Sequence, residues 1–169
     1  MKSLILRLML ALFVVLAFSE ARADAQSLVP LYQYKYSSGS QQDFFYTTNF
    51  AELGFGGNGW TYQGIAMRVY DSEASGTVKF YRFFGLSSGK HFYSTSPDEV
   101  GPPDWVLEGD AGWIYPPHSQ PSGTVPIHRW YKWAGSGVAH YYVVHTGFDI
   151  DLYASGWVYE GVIGYAVAP

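Results

Sequence analysis

The sequence predicts an all-β fold, and three of its features carry that prediction. Aromatic residues make up 19% of the chain while charged residues make up only 14%. Helix-favouring runs of Ala, Leu, Glu and Lys are missing after residue 23. Above all, one set of three aromatic elements recurs three times in the same order. Aromatic and β-branched runs punctuated by glycine are the signature of short strands and tight turns.

The first element is Leu31-Tyr32-Gln33-Tyr34, matched by Phe80-Tyr81-Arg82-Phe83 and by Ile127-His128-Arg129-Trp130. Tyr32 to Tyr81 is 49 residues and Tyr81 to His128 is 47. Within it Tyr32 and Tyr34 fall on one face and Gln33 on the other, the alternation of a half-buried strand. The second element is Phe45-Tyr46-Thr47-Thr48, with Phe92-Tyr93-Ser94-Thr95 and Tyr141-Tyr142-Val143-Val144 as its counterparts. Gly- and Ser-rich stretches at 37–40, 85–89 and 135–137 separate the two and read as hairpin turns.

The third element is Trp60-Thr61-Tyr62-Gln63-Gly64, repeated from Trp105 to Gly109 and from Trp157 to Gly161. It then runs on as a strand, so its glycine marks a bulge, a bend or a close backbone approach. Ahead of it, Asn49 and Ser96 can each cap one helical turn, which the nearby glycines and prolines keep short.

A unit of about 48 residues cannot close a core alone, so three are expected to pack around a pseudo-threefold axis. The expected units span about 30–70, 78–115 and 125–167. A β-trefoil-like arrangement is the leading expectation, with a three-bladed propeller or a prism-like assembly as alternatives.

The N-terminus predicts export. Lys2 and Arg7 precede an apolar run from Leu8 to Phe18, and Ala21-Arg22-Ala23 reads as a cleavage signal. Residues 1–23 are thus an expected signal peptide and 24–169 a single domain, secreted or periplasmic. Losing Lys2, Arg7, Arg22 and Glu20 takes the net charge from −4 to −6. An acidic chain without basic runs has no footprint for nucleic acid or for anionic membranes. There are no cysteines, so the core must hold without disulfides.

The motifs resemble a family of exported repeats catalogued as a domain of unknown function, whose copies read P-L-Y-R-Y-Y, D-H-F-Y-T-T and G-W-x-Y-E-G. Here they stand as Pro30-Leu31-Tyr32-Gln33-Tyr34, as Lys90-His91-Phe92-Tyr93-Ser94-Thr95, and from Gly156 to Gly161. The resemblance implies an appendage of exported hydrolases with a lectin-like role in surface or glycan attachment. Gln33 replaces the family's Arg, Phe44 its His and Leu107 its Tyr. The copies are therefore not expected to be equivalent.

No catalytic constellation is legible. The chain lacks a G-x-S-x-G elbow, a phosphate-binding glycine loop and an H-E-x-x-H. His140 and His145 lie on opposite strand faces, so zinc is not expected, and Asp149 to Tyr153 lacks most of a calcium loop. No cofactor, metal or enzymatic activity is expected. What recurs are polar sets: Gln33/Arg82/Arg129, Gln63/Glu108/Glu160 and Phe44/His91/His140. Arg and Glu replace Gln together in the second and third copies, as a structural pair or as a recognition patch.

The candidate ligand-binding residues are Arg82, Glu108, His91, Arg129, Glu160, His140 and Trp133. Trp60, Trp105 and Trp157 are expected in a core layer. Trp113, Trp130 and Trp133 break the repeat and are expected to be exposed. The function expected is a non-catalytic module for carbohydrate or cell-surface polymer. The alternative is a structural or protein-interaction domain, such as an inhibitor or partner of an exported enzyme.

Overall fold

A computed structural model describes residues 26–145 and 150–169. The expected signal peptide and Asp149 of the acidic turn lie outside the described residues.

The protein is all-β, in open antiparallel sheets. The first elements lie on β1 (Leu28–Ser38), β5 (Val78–Gly85) and β8 (Val125–Ala134). The second lie on β2 (Gln41–Thr47), β6 (His91–Ser94) and β9 (Gly137–Val144). The third lie on β4 (Trp60–Tyr70), β7 (Trp105–Ile114) and β10 (Val158–Ala166), the last preceded by Trp157 itself. A two-residue strand β3 (Gly56–Gly57) pairs with β4. Asn49 caps a 3₁₀ turn, Phe50–Glu52, as expected, its side chain accepting from Ala51 N at 3.1 Å. Ser96 starts only a non-helical turn, and a short helix α1 (Ile150–Ala154) stands before β10.

These strands form three trios. β1 runs between β2 and β4, β5 between β6 and β7, and β8 between β9 and β10. Two-residue loops close β1–β2 and β8–β9, each with a glycine first, Gly39 at φ 57° and Gly135 at φ 67°. A single pair, Tyr70 with Trp113, joins the first two trios into a seven-stranded sheet that includes β3. The third trio is a separate sheet, tied to the others by bridges Arg68–Val167 and Tyr115–Tyr165.

The trios meet at Tyr46, Tyr93 and Tyr142, all essentially inaccessible. Their rings stand edge to face with centroids 5.3 to 5.5 Å apart. Tyr46 N–H donates to Tyr93 Oη at 2.7 Å, and Tyr93 O–H donates back to Tyr46 O at 2.8 Å. Tyr93 N–H and O make the same exchange with Tyr142 Oη, and Tyr142 N–H and O with Tyr46 Oη. The cycle closes on itself, so every phenol and every one of these backbone groups is paired out of reach of water.

The first strands present two faces, and the alternation expected of them holds. Leu31, Phe80 and Ile127 are buried on one face, while Tyr34, Phe83 and Trp130 are buried on the opposite one. Covering both faces corrects two expectations. The strands are not half-buried, and Trp130, expected at the surface, is fully enclosed, with the Tyr159 ring 4.9 Å away. Trp113 is half-buried beneath Lys79, whereas Trp133 is 74% exposed as expected. Trp157 is buried against Phe44 and Tyr141. Trp60 and Trp105, expected in the core, are only half-buried.

Candidate functional site: clefts between neighbouring trios

The site starts from one irregularity in the third strands. On β7, Leu107 pairs with Phe83 and Gly109 with Arg82, so Glu108 is an extra residue. On β10, Tyr159 pairs with Trp130 and Gly161 with Arg129, leaving Glu160 extra in the same way. These are β-bulges, and Gly109 and Gly161 take φ of 149° and 129°, where a side chain is disfavoured. The bulge brings each carboxylate to the arginine facing the glycine. Arg82 Nε lies 3.1 Å from Glu108 Oε2, and Arg129 Nε lies 3.0 Å from Glu160 Oε2. Neither Nε–H points along a hydrogen-bond line, so each contact is one of charge.

A second carboxylate reaches each arginine from the neighbouring trio. Arg82 Nη1 and Nη2 donate to the two oxygens of Glu52 at 3.3 and 3.2 Å, a forked pairing. Arg129 Nη2 donates to Glu99 Oε1 at 2.7 Å, and Glu99 also accepts from the Ser94 hydroxyl. The Arg82 guanidinium lies over the Phe45 ring at 4.7 Å, and that of Arg129 over Phe92 at 4.9 Å. His91 Nε2 and His140 Nε2 each sit 3.6 Å from the same Glu108 or Glu160 oxygen that meets the arginine.

Six of the seven sequence candidates therefore gather into two sets, Arg82/His91/Glu108 and Arg129/His140/Glu160. Trp133 belongs to neither. Sequence reasoning missed Glu52, Glu99, Phe45 and Phe92, although a signal for the acids exists. Glu52 and Glu99 each follow their cycle tyrosine, Tyr46 or Tyr93, by six residues.

The first set opens on a cleft of about 290 Å³ walled by Phe45, Leu53 and Trp60. A smaller cleft of about 230 Å³ lies between the third and first trios, where Gln33 and Gln63 stand with Phe44, Tyr141 and Trp157. Its polar lining is the amides of Gln33, Gln42 and Gln63 with Lys35, and no Arg–Glu pair stands in it, so the clefts differ as the Gln33 and Phe44 departures led one to expect.

The electrostatics differ between the two charged sets. Burial alone would raise Glu52 and Glu99, but the hydrogen bonds and charge of Arg82 and Arg129 outweigh it and hold both below the usual carboxylate value. Glu160 moves the other way, raised by burial more than Arg129 lowers it. Burial, and secondarily the Arg129 charge, pull His140 down to about 4, and its buried Nδ1 has no hydrogen-bond partner. His91 Nδ1 instead meets Asp43 Oδ2 at 2.7 Å.

A stability profile follows. His140 titrates near 6.5 when unfolded and near 4 when folded, so between these values the unfolded chain binds the extra proton. The stabilisation is complete above pH 6.5 and is lost as the pH falls toward 4, by about 3 kcal/mol for this group. Glu99, held low, adds to the loss at still lower pH, and Glu160, held high, partly offsets it. Urea unfolding at steps between pH 7 and pH 4 should show the decline, and His140→Gln should make it shallower, with His128, which burial also holds low, left to contribute the rest. An equally steep decline in the variant would remove His140 as its source.

Among the described residues no group of three or more His, Asp or Glu side chains is placed to hold a metal ion. His140 faces Glu160, while His145 stacks on His128 at 4.3 Å, so the two do not share a site.

Fold and site together define an all-β domain whose charged and aromatic side chains converge in clefts between neighbouring strand trios. Residues 32–167 match the model of a family described as a domain of unknown function, DUF5648, and the chain belongs to that family. No curated protein and no solved structure matches it.

Proposed function

We propose that this protein is an exported, non-catalytic binding module for carbohydrate on a cell surface or in a polymer matrix. Its three trios are related but non-identical units around a pseudo-threefold axis through the tyrosine cycle. Three strand trios, two of them joined into one sheet by a single residue pair, suit the prism-like assembly better than a β-trefoil, whose strands join a common barrel.

The observation that carries the function is the cleft holding Arg82, Glu108 and His91 against Phe45 and Trp60. The N–H groups of Arg82 left over from the Glu52 pairing and the Glu108 carboxylate offer donors and acceptors to sugar hydroxyls, and an aromatic ring packs on the apolar face of a pyranose. The arrangement is open and shallow, so one cleft should bind a sugar with Kd near the millimolar end. Useful affinity then comes from engaging several clefts on one polymer.

A glycan panel with the protein from residue 24 onward tests this. Arg82→Ala should weaken binding about tenfold or more while the protein stays folded. Undiminished binding in that variant would move recognition elsewhere. The second reading is a protein-interaction domain, for which the exposed Phe55, Leu86 and Trp133 would be the apolar contacts, at 85%, 62% and 74% exposure. A folded protein that binds no glycan would select it.

A further inference from the structure

We propose that the Trp60 cleft continues past that ring into a second subsite, so that this side of the molecule takes a neutral oligosaccharide of two or more sugar units. The inference deepens the carbohydrate reading and rests on it. A second cleft of about 350 Å³ adjoins the first, with Trp60 as their common wall. Tyr36, its ring 5.6 Å from Trp60, extends the aromatic side. Asp43, Lys90, Ser88 and Ser136 supply the polar side. The partition between the clefts is narrow: His91 of the first bonds Asp43 of the second.

Architecture does not require a polar cleft here. Three residues before each cycle tyrosine stand Asp43, Lys90 and Ala139, all buried, and the alanine shows that a small apolar side chain serves that place. Burying an ammonium in its stead is costly unless its hydrogens are matched. Lys90 Nζ donates to Gln41 Oε1 and to Gln42 O, both at 2.8 Å, which leaves one N–H for a ligand. Among the described residues no carboxylate lies within ion-pair distance of it. Asp43 accepts from His91 N–H at 3.1 Å and meets the ring nitrogen, and its anionic oxygens retain capacity for a further donor. One wall thus carries both an ammonium and a carboxylate. An anion would meet Asp43 and a cation would meet Lys90, whereas a hydroxyl accepts from one and donates to the other. The floor is preformed, because Ser136 O–H donates to Ser88 O at 2.8 Å and locks the third trio's hairpin against the second's.

Calorimetric titration with mono-, di- and tetrasaccharides of the glucan, chitin and mannan series tests the inference. In the best-bound series affinity should rise about tenfold or more from monosaccharide to the longer sugars. Lys90→Met should abolish that rise and leave monosaccharide binding intact. Ser136→Leu, which crowds the cleft from an exposed turn, should do the same and decides the matter if Lys90→Met does not fold. Arg82→Ala should instead lose the monosaccharide. Affinity independent of chain length, or a rise undiminished in folded variants, would overturn the second subsite while leaving the carbohydrate reading standing. No binding of any saccharide would overturn both.

Discussion

Replacing Tyr93 by phenylalanine should lower the free energy of unfolding by about 2–6 kcal/mol, although it removes a single oxygen atom. The ring and its edge-to-face contacts with Tyr46 and Tyr142 would remain. The missing hydroxyl would strand two backbone groups at once, Tyr46 N–H and Tyr46 O, which it pairs at 2.7 and 2.8 Å. Each orphaned buried group costs about 1–3 kcal/mol, because neither water nor another donor reaches it. Tyr81→Phe, on a half-buried ring of β5 outside the cycle, should change stability by less than about 0.5 kcal/mol. Urea unfolding followed by tryptophan fluorescence measures both. Equal effects from the two substitutions would mean that the cycle contributes nothing beyond ring packing.

Trp130→Ala should cost about 3–5 kcal/mol, the range for a large aromatic removed from a packed core. Trp130 is the largest fully buried side chain among the described residues, so little room exists for the structure to collapse into the space it leaves. Against a total stability of about 5–15 kcal/mol, the variant should be partly unfolded or close to it. Trp133→Ala, three residues along the same strand, should stay within about 0.5 kcal/mol of the original protein. Thermal unfolding of the pair settles the contrast, and similar melting temperatures would place Trp130 outside the core.

The strand elements and the turns between them were legible because they depend on neighbours along the chain. Period-two alternation, Gly39 and Gly135 at the heads of two-residue loops, and the glycines after Glu108 and Glu160 all act within a few residues. The Arg82–Glu108 and Arg129–Glu160 contacts were half legible, since Gln33 and Gln63 replace both members in the first segment.

Glu52 and Glu99 were not legible. Each meets an arginine 30 residues ahead, across the boundary between trios. Asp43 and His91 meet over 48 residues, and the Lys90 cleft depends on hairpins from all three segments. The fate of Trp130 was hidden for a related reason: a strand's pattern shows that it has two faces, not that both will be covered.

By itself, then, the sequence determined which stretches become strands, where they turn, and which arginine and glutamate belong together. Those outcomes follow from backbone sterics and from side-chain direction over a few residues. Only the tertiary structure decided which carboxylate completes each arginine, which tryptophans are enclosed, and where the clefts open. Each of these turns on which face of one trio lies against the next, and no local spacing encodes that.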